Sequence, residues 1–283
     1  MKIGKIIVML LAAGALCAEP AAELPKIKVA LAGSSACQTY NSKDPKLIWG
    51  WGEVIGKYFK PEAQVLNFAV SGLSTRSFRD RGVWKKLLDS KPDYIFMTLG
   101  ANDTPGKKFA TDAKTSYKEN LRRYAAEAEA AGAKIIFVTL NQSLRGDPKT
   151  NKAVFFNGRA YRKDRAPYSQ SIREVAAELK KPCLELFDNQ QKIMEAMGEA
   201  AAGKLYRFKP DGKIDAMHTN KAGAELLAKI IITELRKSDC PLNEYTIDPQ
   251  LKAPLPKETP AKKAAPAKKT HKKSSQSKKN SKK

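Results

Sequence analysis

Histidine is nearly absent from this chain: its 283 residues contain two, His218 and His271. That count excludes a histidine-rich metal centre. Cysteine is scarce as well. The four present (Cys17, Cys37, Cys183 and Cys240) include no C-x-x-C pair, so neither a thiolate zinc site nor a thioredoxin-type motif is encoded. There is no P-loop and no complete G-x-G-x-x-G, which argues against a phosphate cradle for a nucleotide. The one long apolar run, 6–16, falls short of the about 20 residues that cross a bilayer. Acids are the minority charge, 29 Asp and Glu against 52 Lys and Arg, for a net charge of +23. A basic molecule steers acidic partners toward itself. What remains is chemistry that side chains perform without metal or organic cofactor, or binding without chemistry.

The two ends differ from the middle. The chain opens on Met1-Lys2-Ile3-Gly4-Lys5, continues into the apolar run, and reaches small residues around Ala15-Leu16-Cys17-Ala18. That layout predicts a signal peptide over 1–18 and a secreted or periplasmic protein with no transmembrane segment after cleavage; an uncleaved anchor is the alternative. Cleavage removes Cys17 and leaves three cysteines, enough for at most one internal disulfide whose pairing stays open. At the far end, residues 257–283 hold eleven lysines against the single acid Glu258. From 248 onward Pro, Ala, Lys and Ser displace the periodic hydrophobics, so 248–283 is expected to be a disordered tail without a core. Such a tail can hold the protein on an anionic surface. Nucleic acid is a physical option, with little opportunity for an exported protein.

The middle, 19–247, reads as one folded domain. Short β-branched or aromatic runs at 27–32, 64–69, 93–99, 134–140 and 183–187 predict strands. Amphipathic stretches at 112–131, 167–180, 190–202 and 220–235 predict helices, the first closed by Gly132. Strands alternating with helices imply an α/β fold with a mostly parallel sheet covered on both faces. Binding sites in such sheets lie beyond the carboxyl ends of the strands. The long polar stretch from Asn141 to Arg165 is of the kind that lines sites.

Four polar clusters fall where that rule wants them. Gly33-Ser34-Ser35 follows the first strand, and a serine in a tight turn there presents its hydroxyl at the sheet edge. Ser71-Gly72-Leu73 follows the second, where glycine exposes a backbone N–H. Gly100-Ala101-Asn102-Asp103 follows the third, and Asn102 can donate an amide hydrogen to a developing oxyanion. Asp215-Ala216-Met217-His218 stands just ahead of the last helix, with a carboxylate spaced to orient an imidazole. Each cluster taken singly also fits an ordinary turn or helix cap. The histidine count narrows the choice: His271 lies among the tail lysines, so any Ser–His chemistry uses His218.

In this order and placement, the clusters resemble the SGNH (GDSL-like) hydrolase family. The stretches LAGSSACQTYN from Leu31, WGWGEVIGKYF from Trp49, NFAVSGLSTRSF from Asn67 and DAMHTNKAGAELLAKII from Asp215 look like its rhamnogalacturonan acetylesterase-like members, and the resemblance covers 27–236. It implies a flavodoxin-like three-layer α/β/α sandwich around a five-stranded parallel sheet. It implies Ser35 as nucleophile, Asp215 and His218 completing a triad, and an oxyanion hole made by the N–H groups of Ser35 and Gly72 with the Asn102 side chain. Two positions depart from the family: Ser34 stands where it has aspartate, and Ala101 where close relatives often have histidine.

The activity so implied is hydrolysis of small acyl esters, acetyl above all, from carbohydrate, with pectin-type polysaccharide as the acidic candidate. A lipid or thioester hydrolase of the same fold is the alternative. So are a catalytically impaired carbohydrate-binding relative, suggested by Ser34, and a basic adhesion protein working through its tail. Trp49 and Trp51 are either aromatic surface for a sugar ring or core packing. Arg76, Arg79 and Arg145 are either contacts for acidic sugars or solvated charge.

Overall fold

A computed structural model describes residues 23–143, 145–146, 153–154, 165–209, 211–212 and 214–251. The expected signal peptide, nearly all of the expected tail and most of the 141–165 stretch lie outside these residues. In chain order the first elements are β1 (Ile27–Ala32), α1 (Trp51–Val54), β2 (Ala63–Asn67), α2 (Thr75–Asp80), α3 (Val83–Asp89), β3 (Tyr94–Met97), α4 (Ser116–Ala130) and β4 (Lys134–Val138). There follow β5 (Arg145–Gly146), β6 (Ala153–Val154), α5 (Ala166–Glu178), β7 (Cys183–Leu184), α6 (Phe187–Met197), α7 (Glu199–Gly203), β8 (Tyr206–Phe208), β9 (Ile214–Thr219) and α8 (Lys221–Lys237).

Five strands form one sheet in the order β2-β1-β3-β4-β7, and every pairing is parallel. Parallel strands need crossover helices, which cover both faces, so the strands become apolar on both sides. β1 shows the consequence: Val29 and Leu31 enter one apolar cluster, Ala30 and Ala32 the other, and all four are 0 % exposed. The first cluster packs Trp51 of α1 and Leu227, Ile230 and Ile231 of α8 against Phe96, Ile136 and Val138. The second packs Tyr117, Leu121 and Tyr124 of α4 and Ile172 of α5 against Ile95, Met97 and Phe137. The result is the three-layer α/β/α sandwich of the flavodoxin-like strand order. Its topological switch point, the crevice where ligands bind in such sheets, lies between β1 and β3.

Three local features differ from the sequence reading. The helix expected over 190–202 breaks at Gly198, whose φ of +79 an L side chain rarely adopts, and becomes α6 and α7. The helices α2 and α3 were not foreseen. His218 stands just ahead of α8, as expected, but on a strand that was not foreseen. It belongs to β9, which pairs antiparallel with β8 in a two-stranded ribbon apart from the main sheet. Cys37, Cys183 and Cys240 are free thiols, so the one disulfide that the count allows is not made among them. Among the described residues no helix is long and apolar enough to cross a membrane.

Candidate active site

The turn after β1 is built by close approach. The N–H groups of Cys37 and Gln38 both donate to the Ser34 carbonyl, at 2.9 and 3.0 Å. Gly33 permits this, because a Cβ there would stand 2.6 Å from the Cys37 Cβ. Ser34 is buried at 3 % exposure, whereas Ser35 is half-buried and faces a cavity. The Tyr40 hydroxyl donates to the Ser35 carbonyl at 3.0 Å and steadies the turn from outside. The neighbouring Cys37 is no rival nucleophile: burial pushes its thiol well up, and the thiol form is the poor nucleophile.

The loop after β2 meets this turn. Val70 N–H donates to the Gly33 carbonyl at 3.1 Å, and Ser71 N–H to the Gln38 side-chain oxygen. Gly72 has a φ of +79 with open space around it, so backbone conformation rather than crowding calls for glycine.

Asn102, in the turn after β3, donates its side-chain amide to the Leu73 carbonyl at 3.1 Å, tying the third loop to the second. An amide carries two hydrogens, and one remains for the cavity that Asn102 lines. Beneath it Asp103 is fully buried. It accepts Thr75 N–H at 2.9 Å, Thr111 hydroxyl at 3.0 Å and the Thr75 hydroxyl. Burial pushes the Asp103 carboxyl up, and the threonine hydrogen bonds hold it partly back. Asp103 is therefore the fastening of the loop that presents Asn102.

His218 comes from the β8–β9 ribbon. Its Nδ1 lies 2.9 Å from Asp215 Oδ2. Met217 N–H donates to Asp215 Oδ1 at 3.0 Å, and Arg207 of β8 lies 2.6 Å from Oδ2 through its Nε. Burial raises the Asp215 carboxyl, but the hydrogen bond and charge of His218, the Met217 N–H and Arg207 outweigh it and hold the group well below the usual carboxylate range. The far end of β9 is pinned too: Thr219 and Trp49 exchange two hydrogen bonds of 3.0 Å each, and Asn220 caps α8 by accepting from Gly223 N–H at 3.1 Å.

Ser35, Gly72, Asn102 and His218 line one cavity of about 180 Å³, with Ala101, Lys107 and Arg165 on its wall. None of the described lining residues is an acid. Arg165 is buried at 8 % exposure and its Nη1 donates to the Asn141 carbonyl and side-chain oxygens at 2.9 and 3.1 Å. A larger cleft of about 490 Å³ opens at the amino ends of β3 and β4, by Tyr94, Lys134, Lys181 and Cys240. No histidine lines it, and burial raises its one thiol, Cys240. Ser35 and His218 both line the smaller cavity.

The remaining expected contacts lie elsewhere. Trp51 is core, at 1 % exposure. Trp49 is half-buried, donates Nε1 to the Asp44 carbonyl at 3.0 Å, and carries the Lys221 ammonium 5.1 Å from its ring centre. Arg76 is exposed on α2, 3.6 Å from Asp80. Arg79 forms a bidentate pair with Glu127, both bonds 2.6 Å. None of these lines the cavity. Arg145 stands on β5, and its side chain lies outside the described residues. Sequence reasoning missed Arg207 and Lys107, which no motif marks; Tyr40 and Arg165 fall within stretches it singled out, LAGSSACQTYN and Asn141–Arg165, but were given no role.

The fold is a parallel sheet with a serine turn at its switch point and an aspartate–histidine pair beside it. A profile of the GDSL-like Lipase/Acylhydrolase family matches residues 31–226, and the chain belongs to that family. Membership makes it a carboxylic ester hydrolase. It is 29 % identical over 223 residues to "Probable rhamnogalacturonan acetylesterase YesY" of Bacillus subtilis, a match covering 77 % of this chain and 96 % of that one. It is 27 % identical over 231 residues to "Rhamnogalacturonan acetylesterase RhgT" of the same organism, covering 78 % and 94 %. Among solved structures, YxiM of Bacillus subtilis superposes with a TM-score of 0.58 at 26 % identity, over 76 % of this chain and 57 % of that one.

Proposed function

We propose that this protein removes acetyl groups from carbohydrate, with Ser35 as nucleophile and Asp215–His218 as its base. The observation that carries the reading is the single cavity shared by Ser35, Gly72, Asn102 and His218. Because Nδ1 of His218 is engaged by Asp215, Nε2 is the nitrogen left for proton transfer. Ser35 Oγ attacks the ester carbonyl as His218 takes its proton. The oxyanion forms against the N–H groups of Ser35 and Gly72 and the free amide hydrogen of Asn102. The sugar hydroxyl leaves with the proton from His218, and water releases acetate by the same route. Ser34, in the place of the family aspartate, is buried and lines no part of the cavity, which supports Ser35 as the attacking hydroxyl.

A cavity of about 180 Å³ suits a short acyl group, being smaller than the roughly 300–1,000 Å³ of sites for larger ligands, and this favours acetyl over lipid or a bulky thioester. The names of YesY and RhgT point the same way. Lys107 and Arg165 beside the reacting groups support a substrate with acidic sugars, pectin-type polysaccharide being the nearest fit. The basic, then apolar, then small-residue start of the chain supports export. The decisive test is hydrolysis of 4-nitrophenyl acetate and of acetylated rhamnogalacturonan by wild type, Ser35→Ala and His218→Ala. Each variant is expected to lose about 10⁴-fold or more in kcat. Full activity in folded Ser35→Ala would refute Ser35 as nucleophile, whereas carbohydrate binding without turnover, unchanged by Ser35→Ala, would leave a carbohydrate-binding relative.

A further inference from the structure

The ribbon that carries His218 is irregular at the point where it matters. Its paired positions are Tyr206 with Thr219 and Phe208 with Ile214, so Arg207 alone on β8 faces the run Asp215–His218 on β9. A bulge of this kind re-aims side chains and leaves part of the longer strand without ladder partners. Something else must then fix the direction of Asp215. Arg207 Nε and His218 Nδ1 both reach the same oxygen, Oδ2, at 2.6 and 2.9 Å. The Asp215 side chain is 9 % exposed and that of Arg207 31 %, so the contact is sheltered on the aspartate side.

We propose that Arg207 is a positioning residue for the Asp215–His218 pair, which clamps the carboxylate across the bulge and competes with the imidazole for the same oxygen, Oδ2. The proposal rests on the reading of His218 as the base. The physics is a competition. A lone aspartate favours the imidazolium; a second cation on the same oxygen takes part of that attraction and adds repulsion of its own. Other charged or titratable groups surround the pair. Lys107 and Arg165 stand on the cavity wall, the Tyr40 hydroxyl feels both Arg207 and Asp215, Asp211 occupies the turn between the strands, and Lys221 begins α8. β5, which packs against β9, carries Arg145, whose side chain lies outside the described residues. Of these groups, Arg207 is the cation in direct contact with Asp215.

The test compares wild type, Arg207→Met and Arg207→Lys in the full chain, by two readouts. One is the pH profile of kcat/KM on 4-nitrophenyl acetate. The other is the pH titration of the ¹³C-labelled imidazole at 218, with that at 271 as internal reference. In Arg207→Met the acid limb of the profile and the imidazole titration are both expected to move up by about half a pH unit or more. Arg207→Lys keeps the charge and returns both toward wild type, while kcat stays several-fold low because the planar fork is gone. A folded Arg207→Met with both curves superimposed on wild type overturns the proposal. Should that variant fail to fold, Arg207→Gln is read by the same criteria. If the imidazole titration moves but the profile does not, Arg207 acts as stated and the assignment of His218 as base is what fails.

Discussion

Asn102 does two jobs with one amide. It ties the loop after β3 to the Leu73 carbonyl at 3.1 Å and keeps one hydrogen for the cavity. Replacing it by alanine removes both, and in the proposed mechanism the hydrogen bond it gives is needed most when the carbonyl oxygen carries full charge. Asn102→Ala is therefore expected to lower kcat by about 10²–10³ and leave KM nearly unchanged. Steady-state kinetics on a small acetyl ester check this; a change confined to KM would mean that the amide binds substrate without stabilising the oxyanion. Asp103 is the contrasting case. It touches no part of the cavity and is held by Thr75 and Thr111, so Asp103→Ala is expected to destabilise the fold, by about 1–3 kcal/mol for the donors left unpaired, as measured by denaturant midpoint.

At the scale of elements, one carboxylate fastens three helices. Glu127 of α4 accepts two bonds of 2.6 Å from Arg79 of α2, one of 2.7 Å from the Trp84 indole of α3, and one of 3.1 Å from Arg123. The Arg79 hydrogen bonds lead in holding its carboxyl at about 2, against a modest upward push from burial. The folded value is depressed, so the stabilisation is present above the ordinary value of 4.5 and is lost as pH falls toward about 2. The difference in urea midpoint between wild type and Glu127→Gln is expected to be largest at neutral pH and to shrink below pH about 4, closing near pH about 2. A gap that does not depend on pH would show the role to be packing alone. Which elements could be read in advance follows from the same kind of detail. Val29, Ile95 and Ile136 sit in short β-branched runs, so all five main strands were legible, and the loop clusters at Ser35, Gly72 and Asn102 came with them. The β8–β9 ribbon was not: Asp215-Ala216-Met217-His218 has no period of two, because the bulge opposite Arg207 breaks the alternation that marks a strand. Arg207 and Lys107 reach the site through tertiary packing, which leaves no local trace.

At the scale of the whole molecule, charge is the dominant property. A net charge of +23 on 283 residues accelerates encounter with polyanions at low ionic strength. On acetylated oligosaccharides that contain uronic acid, kcat/KM is expected to fall several-fold as salt rises from about 0.02 to 0.5 M, while a neutral acetyl ester shows no such fall. Deletion of 252–283, which holds twelve lysines against one acid, is expected to leave kcat on a soluble ester unchanged and to weaken retention on an anionic matrix. Loss of activity on the small ester would mean that the tail belongs to the catalytic unit. The division of labour between sheet and ribbon has a further result. The proposed attacking hydroxyl of Ser35 is rooted at the end of an inner strand of the main sheet, whereas the proposed proton acceptor, His218, rides on a short pair of strands outside that sheet. Such peripheral units open at lower free energy than the centre. Warming should thus silence turnover while the sheet is still whole, so that inactivation runs ahead of melting.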